Sequence, residues 1–285
     1  MRPVPVPCRA AINALEAIVL GIIQGLTEFL PISSSGHLLI VPAFADWEDP
    51  GAAFTAVIQL GTMAAVVLYF RKDLARIAVA FVRSIRGDRW RSADVDARMG
   101  WYIALGTIPI SVAGLAFSNQ IEEGARSLYL AGITLILFSF VMLAAERYGQ
   151  RRRELETING RDALVIGGFQ ALALVPGVSR SGATISAGLF LNFERTSAAR
   201  YSFLLSVPAV VLSGLYELKE VGSGDGPGVG LTLLATLLAF VSGYIAIAWL
   251  LRFIANHSIG AFCPYRIGLG ALVIVLTATG AISTA

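Results

Sequence analysis

Six apolar runs in this chain are long enough to cross a bilayer as helices, which takes about 20 residues with a range of roughly 17 to 25. They are Ala53 to Phe70, Gly100 to Ser118, Ser127 to Glu146, Arg200 to Leu218, Leu231 to Leu251 and Tyr265 to Ser283. Two further apolar regions, Ala11 to Ala45 and Asp162 to Asn192, are broken in the middle by serine and glycine. Their second arms hold about ten residues, too few to span, so each region predicts a re-entrant hairpin that reaches mid-membrane and returns to the face it left. The pattern as a whole predicts an all-α polytopic membrane protein of about ten helices, with six spans and two re-entrant hairpins.

The two hairpins are related. Moving 146 positions along the chain carries Gly21 to Gly167, Gln24 to Gln170, Leu26 to Leu172, Ser33 to Ser179, Ser35 to Ser181 and Gly36 to Gly182 without a gap. These identities fall on residues that a plain membrane helix does not need. Each half, 11–146 and 162–283, then reads as one hairpin followed by three spans. Three crossings are an odd number, so the halves take opposite orientations and form an inverted-topology repeat within one membrane domain, 1–285. Hairpins entering from opposite faces can bring their tips together near the midplane.

Composition agrees, at 56% hydrophobic and 14% charged, where a soluble domain is about a quarter charged. The arginines lie between apolar spans with no nucleic-acid-binding motif, which argues against a nucleic-acid partner. Their placement gives a direction. One side holds the basic residues of 71–99 and 147–161 together with Arg195, Arg200, Arg252 and Arg266, seventeen in all; the other holds Arg2, Arg9, Arg126 and Lys219. The richer side is cytoplasmic. Both termini then lie outside, the first hairpin enters from outside and the second from the cytoplasm. Cys8 and Cys263 fall on opposite faces and stay unpaired. The N-terminal apolar run reads as a hairpin arm rather than a leader, because Gln24 and Glu28 would interrupt a leader's core.

Residues 71–99 place Leu74, Ile77, Ala78, Phe81, Val82 and Ile85 at helical spacing with arginines between. That pattern fits either a helix on the anionic inner leaflet or a solvated connector. Pro109 and Pro208 lie inside spans and predict kinks. The outer stretch Gly222 to Gly228 reads as a flexible turn.

Chemistry concentrates in the hairpins. On a helix Gly21, Gln24, Gly25 and Glu28 share one face, combining close approach to a neighbouring helix with two polar groups. A carboxylate in the membrane is costly, so Glu28 should face a protein-lined or watery cavity, or bond structurally between helices. Glu16 lies off that face and reads as interfacial. Each short second arm begins just after Ser-Gly, so its free N–H groups and dipole point at mid-membrane. Two such ends facing each other make an anion site with hydroxyls from Ser33, Ser34, Ser35, Ser179, Ser181 and Thr184. Arg180 brings a full positive charge, suited to a carboxylate or phosphate, or to an ion pair with Glu28. His37, next to the serine run, is a candidate for proton transfer. These features suit an enzyme, or a transporter or flippase with a midplane anion site. A membrane lipid phosphatase built on two histidines would need His257 beside His37, and the topology sets them apart.

The stretches Gln24-Gly-Leu-Thr-Glu28-Phe-Leu-Pro-Ile-Ser-Ser34-Ser-Gly-His37, Phe54-Thr-Ala-Val-Ile-Gln59-Leu-Gly, Pro176-Gly-Val-Ser179-Arg180-Ser-Gly-Ala-Thr-Ile-Ser186 and Tyr201-Ser-Phe-Leu-Leu-Ser-Val-Pro208 resemble the undecaprenyl-diphosphate phosphatases of the bacitracin-resistance family. The resemblance covers nearly the whole chain. It implies hydrolysis of the terminal phosphate of a C55 polyprenyl diphosphate to give the monophosphate carrier of cell-wall synthesis, with resistance to bacitracin as a consequence. It also implies a site open to the outer face of the bacterial cytoplasmic membrane, a polyprenyl diphosphate substrate and membrane lipids as partners. Carried onto this chain, Ser34 is the candidate nucleophile, with a phosphoserine and direct attack by water both compatible with the motif; Glu28 and His37 move its proton, and Arg180 with Ser179 and the half-helix ends holds the diphosphate. Gln24 and the remaining hydroxyls complete the phosphate contacts. The family also implies a divalent cation, Mg2+ or Ca2+, with Glu28 as its main protein contact. The family pattern has Glu or Gln, three residues, then Glu; this chain has Gln24 at the first position, which weakens a pair of acidic metal ligands.

Overall fold

The computed structural model describes residues 12–85, 94–117, 127–217 and 228–282. Cys8, Arg86, Arg89, Arg91, Arg126, Lys219 and nearly all of the Gly222 to Gly228 turn lie outside the described residues. Eleven α-helices are present among them: α1 Ala14–Phe29, α2 Ser34–Ala45, α3 Gly51–Tyr69, α4 Arg71–Ile85, α5 Val95–Ala116, α6 Leu128–Tyr148, α7 Gly160–Ala171, α8 Arg180–Phe190, α9 Arg195–Glu217, α10 Val229–Asn256 and α11 Cys263–Ala278. Three 3-10 turns, Leu155–Thr157, Leu172–Leu174 and Ile259–Phe262, join them.

By length and composition, α5, α6, α10 and the Ile259–Ala278 stretch ending in α11 can each cross a membrane. α3 passes the same test together with α4, from which it is bent by 82°. The sixth expected span falls in α9, which has the length at 23 residues but buries Ser197, Ser202 and Ser206 inside the protein. α10 explains how such helices are read by their surroundings. Leu233, Leu237, Val241, Ile245 and Trp249 recur every four residues and are all exposed, while Ala235, Ala239, Gly243, Ala246 and Leu250 are buried. Small residues thus face the protein and large apolar ones face outward, the pattern of a helix solvated by lipid. The chain is a multi-pass membrane protein.

Packing follows the small residues. α1 lies against α10, so close that a Cβ on Gly21 would sit 2.4 Å from the Ala235 carbonyl oxygen. α7 lies against α5, and a Cβ on Gly167 would sit 2.3 Å from the Gly106 carbonyl oxygen. The neighbours pair off in the same way elsewhere: α3 packs on α10 as α9 packs on α5, α3 meets α9, and α6 meets α11. The correspondence reaches the helix caps. Asn13 and Glu16 form a capping box at α1, and Asn159 and Asp162, 146 positions later, form one at α7. Glu16 therefore stabilises a helix start.

Among the described residues α4 has no counterpart in the second half. Its Leu74 and Ile77 join the core, Phe81 packs edge-on against Trp101 at 5.0 Å, and Ser84 Oγ accepts from Trp101 Nε1 at 3.0 Å. Asp73 joins Arg76 at 3.0 Å and Arg200 at 2.9 Å. Val79, Val82 and Ile85 remain exposed beside Arg83. Residues 71–85 thus form the helix that their apolar spacing predicts, with one face packed on the protein.

Candidate active site

The serine clusters form two matching turns. Ser33 and Ser179 have φ of 76° and 74°, a backbone region that costs a non-glycine residue about 1–3 kcal/mol and in proteins marks functional turns. Each is the N-cap of the following helix, its hydroxyl accepting from the backbone N–H of Gly36 at 3.3 Å or Gly182 at 3.2 Å. Each also contacts the hydroxyl two residues on, Ser35 at 3.3 Å and Ser181 at 3.2 Å. The second arms therefore begin at Ser34 and Arg180, within the polar clusters, rather than after Ser-Gly. The turned-out φ of the capping serine lets helical geometry start three residues earlier than the sequence pattern suggests.

The first turn of each helix thus carries a reactive side chain, and Glu28 joins the two. Its Oε2 accepts from Ser34 Oγ at 2.6 Å and from Gln24 Nε2 at 3.0 Å. Its Oε1 accepts from Gln59 Nε2 at 3.2 Å and from the Arg180 guanidinium. Glu28 is 6% exposed and Gln24 1%, while Ser34 is half-buried and Ser35 exposed. A carboxylate held by four donors, one of them a hydroxyl at short range, is the arrangement of a base already seated against a nucleophile. Gln59 is the ninth of nineteen residues in α3, so the carboxylate lies level with the middle of that helix.

Ser33, Ser34, Ser35, Ser179, Arg180 and Ser181 all surround the meeting of the turns, and Ser181 Oγ donates to the Leu30 carbonyl of the first hairpin at 3.2 Å. Thr184 does not join them. Its hydroxyl bonds Ser202 Oγ at 2.6 Å and the Arg180 carbonyl at 2.8 Å, and it is fully buried between α8 and α9.

The hydrogen bonds of His37 go to Ser33 and Tyr265 rather than to Ser34. Its Nδ1 donates to the Ser33 carbonyl at 2.7 Å, which leaves Nε2 of the neutral ring to accept from Tyr265 Oη at 2.7 Å. The Tyr265 ring stacks on the imidazole at 5.7 Å and is 51% exposed. His257 sits elsewhere, exposed and stacked on Phe253 at 4.5 Å.

Three contributors escaped the reading of the sequence. Gln59 had a signal, since an amide in the middle of an apolar span is costly without a partner. Tyr265 had none beyond its place at a span's start. Arg266 was counted among cytoplasmic loop charges, and the structure corrects this. It is fully buried, and its guanidinium donates to the carbonyls of Pro31 at 2.9 Å, Gly177 at 2.9 Å and Val178 at 3.2 Å, and to Ser139 Oγ at 3.1 Å. A cation one turn inside a helix looks like a loop charge until the carbonyls that receive it are assembled. Cys263, on the preceding turn, is buried and unpaired as expected, its thiol donating to the Ser139 carbonyl.

The chain is similar over most of its length to known proteins. A family model described as "Bacitracin resistance protein BacA" matches residues 17–272. A Thermobifida fusca protein named "Undecaprenyl-diphosphatase" is 52% identical over 271 residues, covering 95% of this chain and 92% of the relative. A Nocardioides protein of the same name is 52% identical over 273 residues, covering 95% and 99%. "Undecaprenyl-diphosphatase 2" of Streptomyces avermitilis is 51% identical over 280 residues, covering 94% and 96%. The match spans both serine turns, α3 with Gln59 and the start of α11 with Tyr265 and Arg266, and on that basis the chain belongs to the BacA family of bacitracin resistance proteins.

Proposed function

We propose that the two turns form one hydrolytic site that removes the terminal phosphate of undecaprenyl diphosphate, giving undecaprenyl phosphate for reuse in cell-wall synthesis. The enzyme is an undecaprenyl-diphosphate phosphatase, and the observation that carries its mechanism is the 2.6 Å hydrogen bond from Ser34 to a Glu28 carboxylate held on its other oxygen by Arg180. Ser34 Oγ attacks the terminal phosphorus as its proton passes to Glu28. The Oγ–P bond forms while the bond from phosphorus to the bridging oxygen breaks, and undecaprenyl phosphate leaves with that oxygen. Glu28 gives that proton up to the departing undecaprenyl phosphate; water then attacks the phosphoserine, its proton passes to Glu28, and Glu28 returns it to Ser34 Oγ as the Oγ–P bond breaks and inorganic phosphate leaves. Arg180 and the free N–H groups at the starts of α2 and α8 stabilise the phosphoryl oxygens. His37 acts at one remove, holding the Ser33 carbonyl and so the strained turn that aims Ser34. A transporter would use the same turns, but no observation favours it over hydrolysis.

A divalent cation, Mg2+ or Ca2+, suits the donors present. Gln24 Oε1 is buried without a partner among the described residues while its Nε2 is engaged by Glu28. Those oxygens are of the hard type these ions prefer. Among the described residues no group of three His, Cys, Asp or Glu side chains could hold a metal, so the diphosphate itself would supply most ligands. When bound, the cation would neutralise phosphate charge.

The fold reading we propose is an inverted repeat of 11–146 and 162–283, with six spans and two re-entrant hairpins. It is supported by the 146-residue register of caps, turns and glycines and by the paired packing of α1 on α10 and α7 on α5. The orientation, with both termini outside and the site open to the outer face of the cytoplasmic membrane, rests on loop charge. Without Arg266, sixteen basic residues still stand against four. Phosphate release from C55 diphosphate by the purified protein, with and without chelator, tests substrate, activity and metal together. Release that chelator abolishes is expected; binding of the lipid with no phosphate released would overturn the hydrolase reading.

A further inference from the structure

Arg266 is the largest fully buried side chain among the described residues, and the hydrolytic scheme gives it no task. It sits beside Ser139, the twelfth of 21 residues in α6, which places it about 15 Å from either end of that helix at 1.5 Å per residue. A guanidinium at that depth is costly to hold and normally has a carboxylate partner. Arg180 has one in Glu28. Arg266 has none, since no ion pair among the described residues includes it. Its partners are instead three main-chain carbonyls and a hydroxyl. They engage all three of its nitrogens and leave its charge unbalanced.

The choice of carbonyls is informative. Pro31 belongs to the turn that carries Ser33 and Ser34; Gly177 and Val178 belong to the turn that carries Ser179 and Arg180. One planar fork therefore binds both turns at once. Gly177, at φ 89°, fits only without a Cβ, which would lie 2.1 Å from Thr134 Oγ1, so the second turn is pressed against α6 while Arg266 holds its carbonyls. A single rigid group spanning two chain segments fixes their relative position, and in a medium of low dielectric its charge acts on whatever the turns enclose.

The geometry points to Arg266 as a positioning residue of the phosphatase site that holds the two hairpin turns in register and supplies the net positive charge that balances a bound diphosphate. This rests on the hydrolase reading for its substrate but not for the charge it offers an anion. It separates two quantities that a merely structural residue would move together: affinity for a diphosphate, which follows charge, and kcat, which follows the register of Ser34 with Arg180.

The test compares Arg266→Lys and Arg266→Met in the full-length protein, using inorganic pyrophosphate as the binding probe, C55 diphosphate for turnover and thermal melting for folding. Lysine keeps the charge but presents its donors from one nitrogen, so pyrophosphate affinity should stay within about threefold of wild type. Its kcat should fall by about tenfold or more, because small misplacements of reacting groups cost that much or more. Methionine should weaken pyrophosphate about tenfold or more and lower kcat about 100-fold. Wild-type kcat in Arg266→Lys, or a folded Arg266→Met with both quantities unchanged, overturns the inference. If Arg266→Met does not fold, the split between affinity and kcat in Arg266→Lys decides. Arg266-dependent pyrophosphate binding without hydrolysis of C55 diphosphate by the wild type would defeat the hydrolase reading and leave this one standing.

Discussion

Replacing Glu28 by glutamine changes one atom and separates fold from chemistry. In the wild-type protein Oε2 receives Ser34 and Gln24, and Oε1 receives Gln59 and Arg180. A glutamine amide can keep its oxygen toward Arg180 and Gln59. Its NH2 then faces Gln24 and Ser34. Gln24 can reverse its own amide and accept with the Oε1 that now has no partner, and the Ser34 hydroxyl can rotate to accept as well. The network is then satisfied, and the structural loss is the ion pair with Arg180, whose side chain is 14% exposed. The fold should lose about 1–3 kcal/mol. Chemistry loses far more, because Ser34 now accepts a hydrogen bond where it must give up a proton. Removal of a positioned general base costs about 100-fold to 10,000-fold. Phosphate release by Glu28→Gln should therefore fall by at least 100-fold while the variant melts cooperatively within a few degrees of wild type. A kcat within tenfold of wild type would refute Glu28 as the base.

Gln59→Leu keeps the volume and removes one donor to Glu28 Oε1. A hydrogen bond to a charged group contributes about 1.5–3 kcal/mol, so kcat should fall by roughly 10- to 100-fold with KM little changed, as steady-state phosphate release will check. Gly177→Ala drives a Cβ to 2.1 Å from Thr134 Oγ1 and 2.5 Å from the Ala131 carbonyl oxygen at a φ of 89°. It should lower the melting temperature by the equivalent of about 1–3 kcal/mol, measured by thermal unfolding in detergent. A cysteine at Ala45, exposed at the end of α2, should react in whole cells with an impermeant thiol reagent when Cys8 has been replaced. Labelling only after lysis would reverse the proposed orientation.

Much of the site was legible because membranes make polar residues conspicuous. Glu28, Ser34 and Arg180 stand out in apolar surroundings, and the 146-residue register ties their turns together before any contact is known. Gly21 and Gly25 were read as surfaces for a close neighbour, and α10 fills that place. What stayed hidden depends on tertiary placement. His37 lies within a turn of Ser34 in sequence, yet the Ser33 carbonyl captures its Nδ1 and turns the ring toward Tyr265. Thr184 lies one helical turn from Arg180 and shares its helix, but Ser202 draws its hydroxyl into the interface with α9. Arg266 is adjacent to a span boundary, where a cation ordinarily snorkels to the surface. Only when residues 31, 177 and 178 converge do their carbonyls make the interior the better place for it. The early start of α2 and α8 was hidden for a local reason, because a positive φ at a serine leaves no trace in residue type.

The central claim is that Ser34, activated by Glu28, attacks phosphorus across the two turns. Its most direct test is a rapid-quench turnover of undecaprenyl diphosphate labelled at the terminal phosphorus, followed by mapping of label on the protein. The account predicts an acid-stable phosphoserine at Ser34 in the first turnover, absent from Ser34→Ala, which should also release no phosphate. Wild-type phosphate release by Ser34→Ala, with no label on the chain, would contradict it.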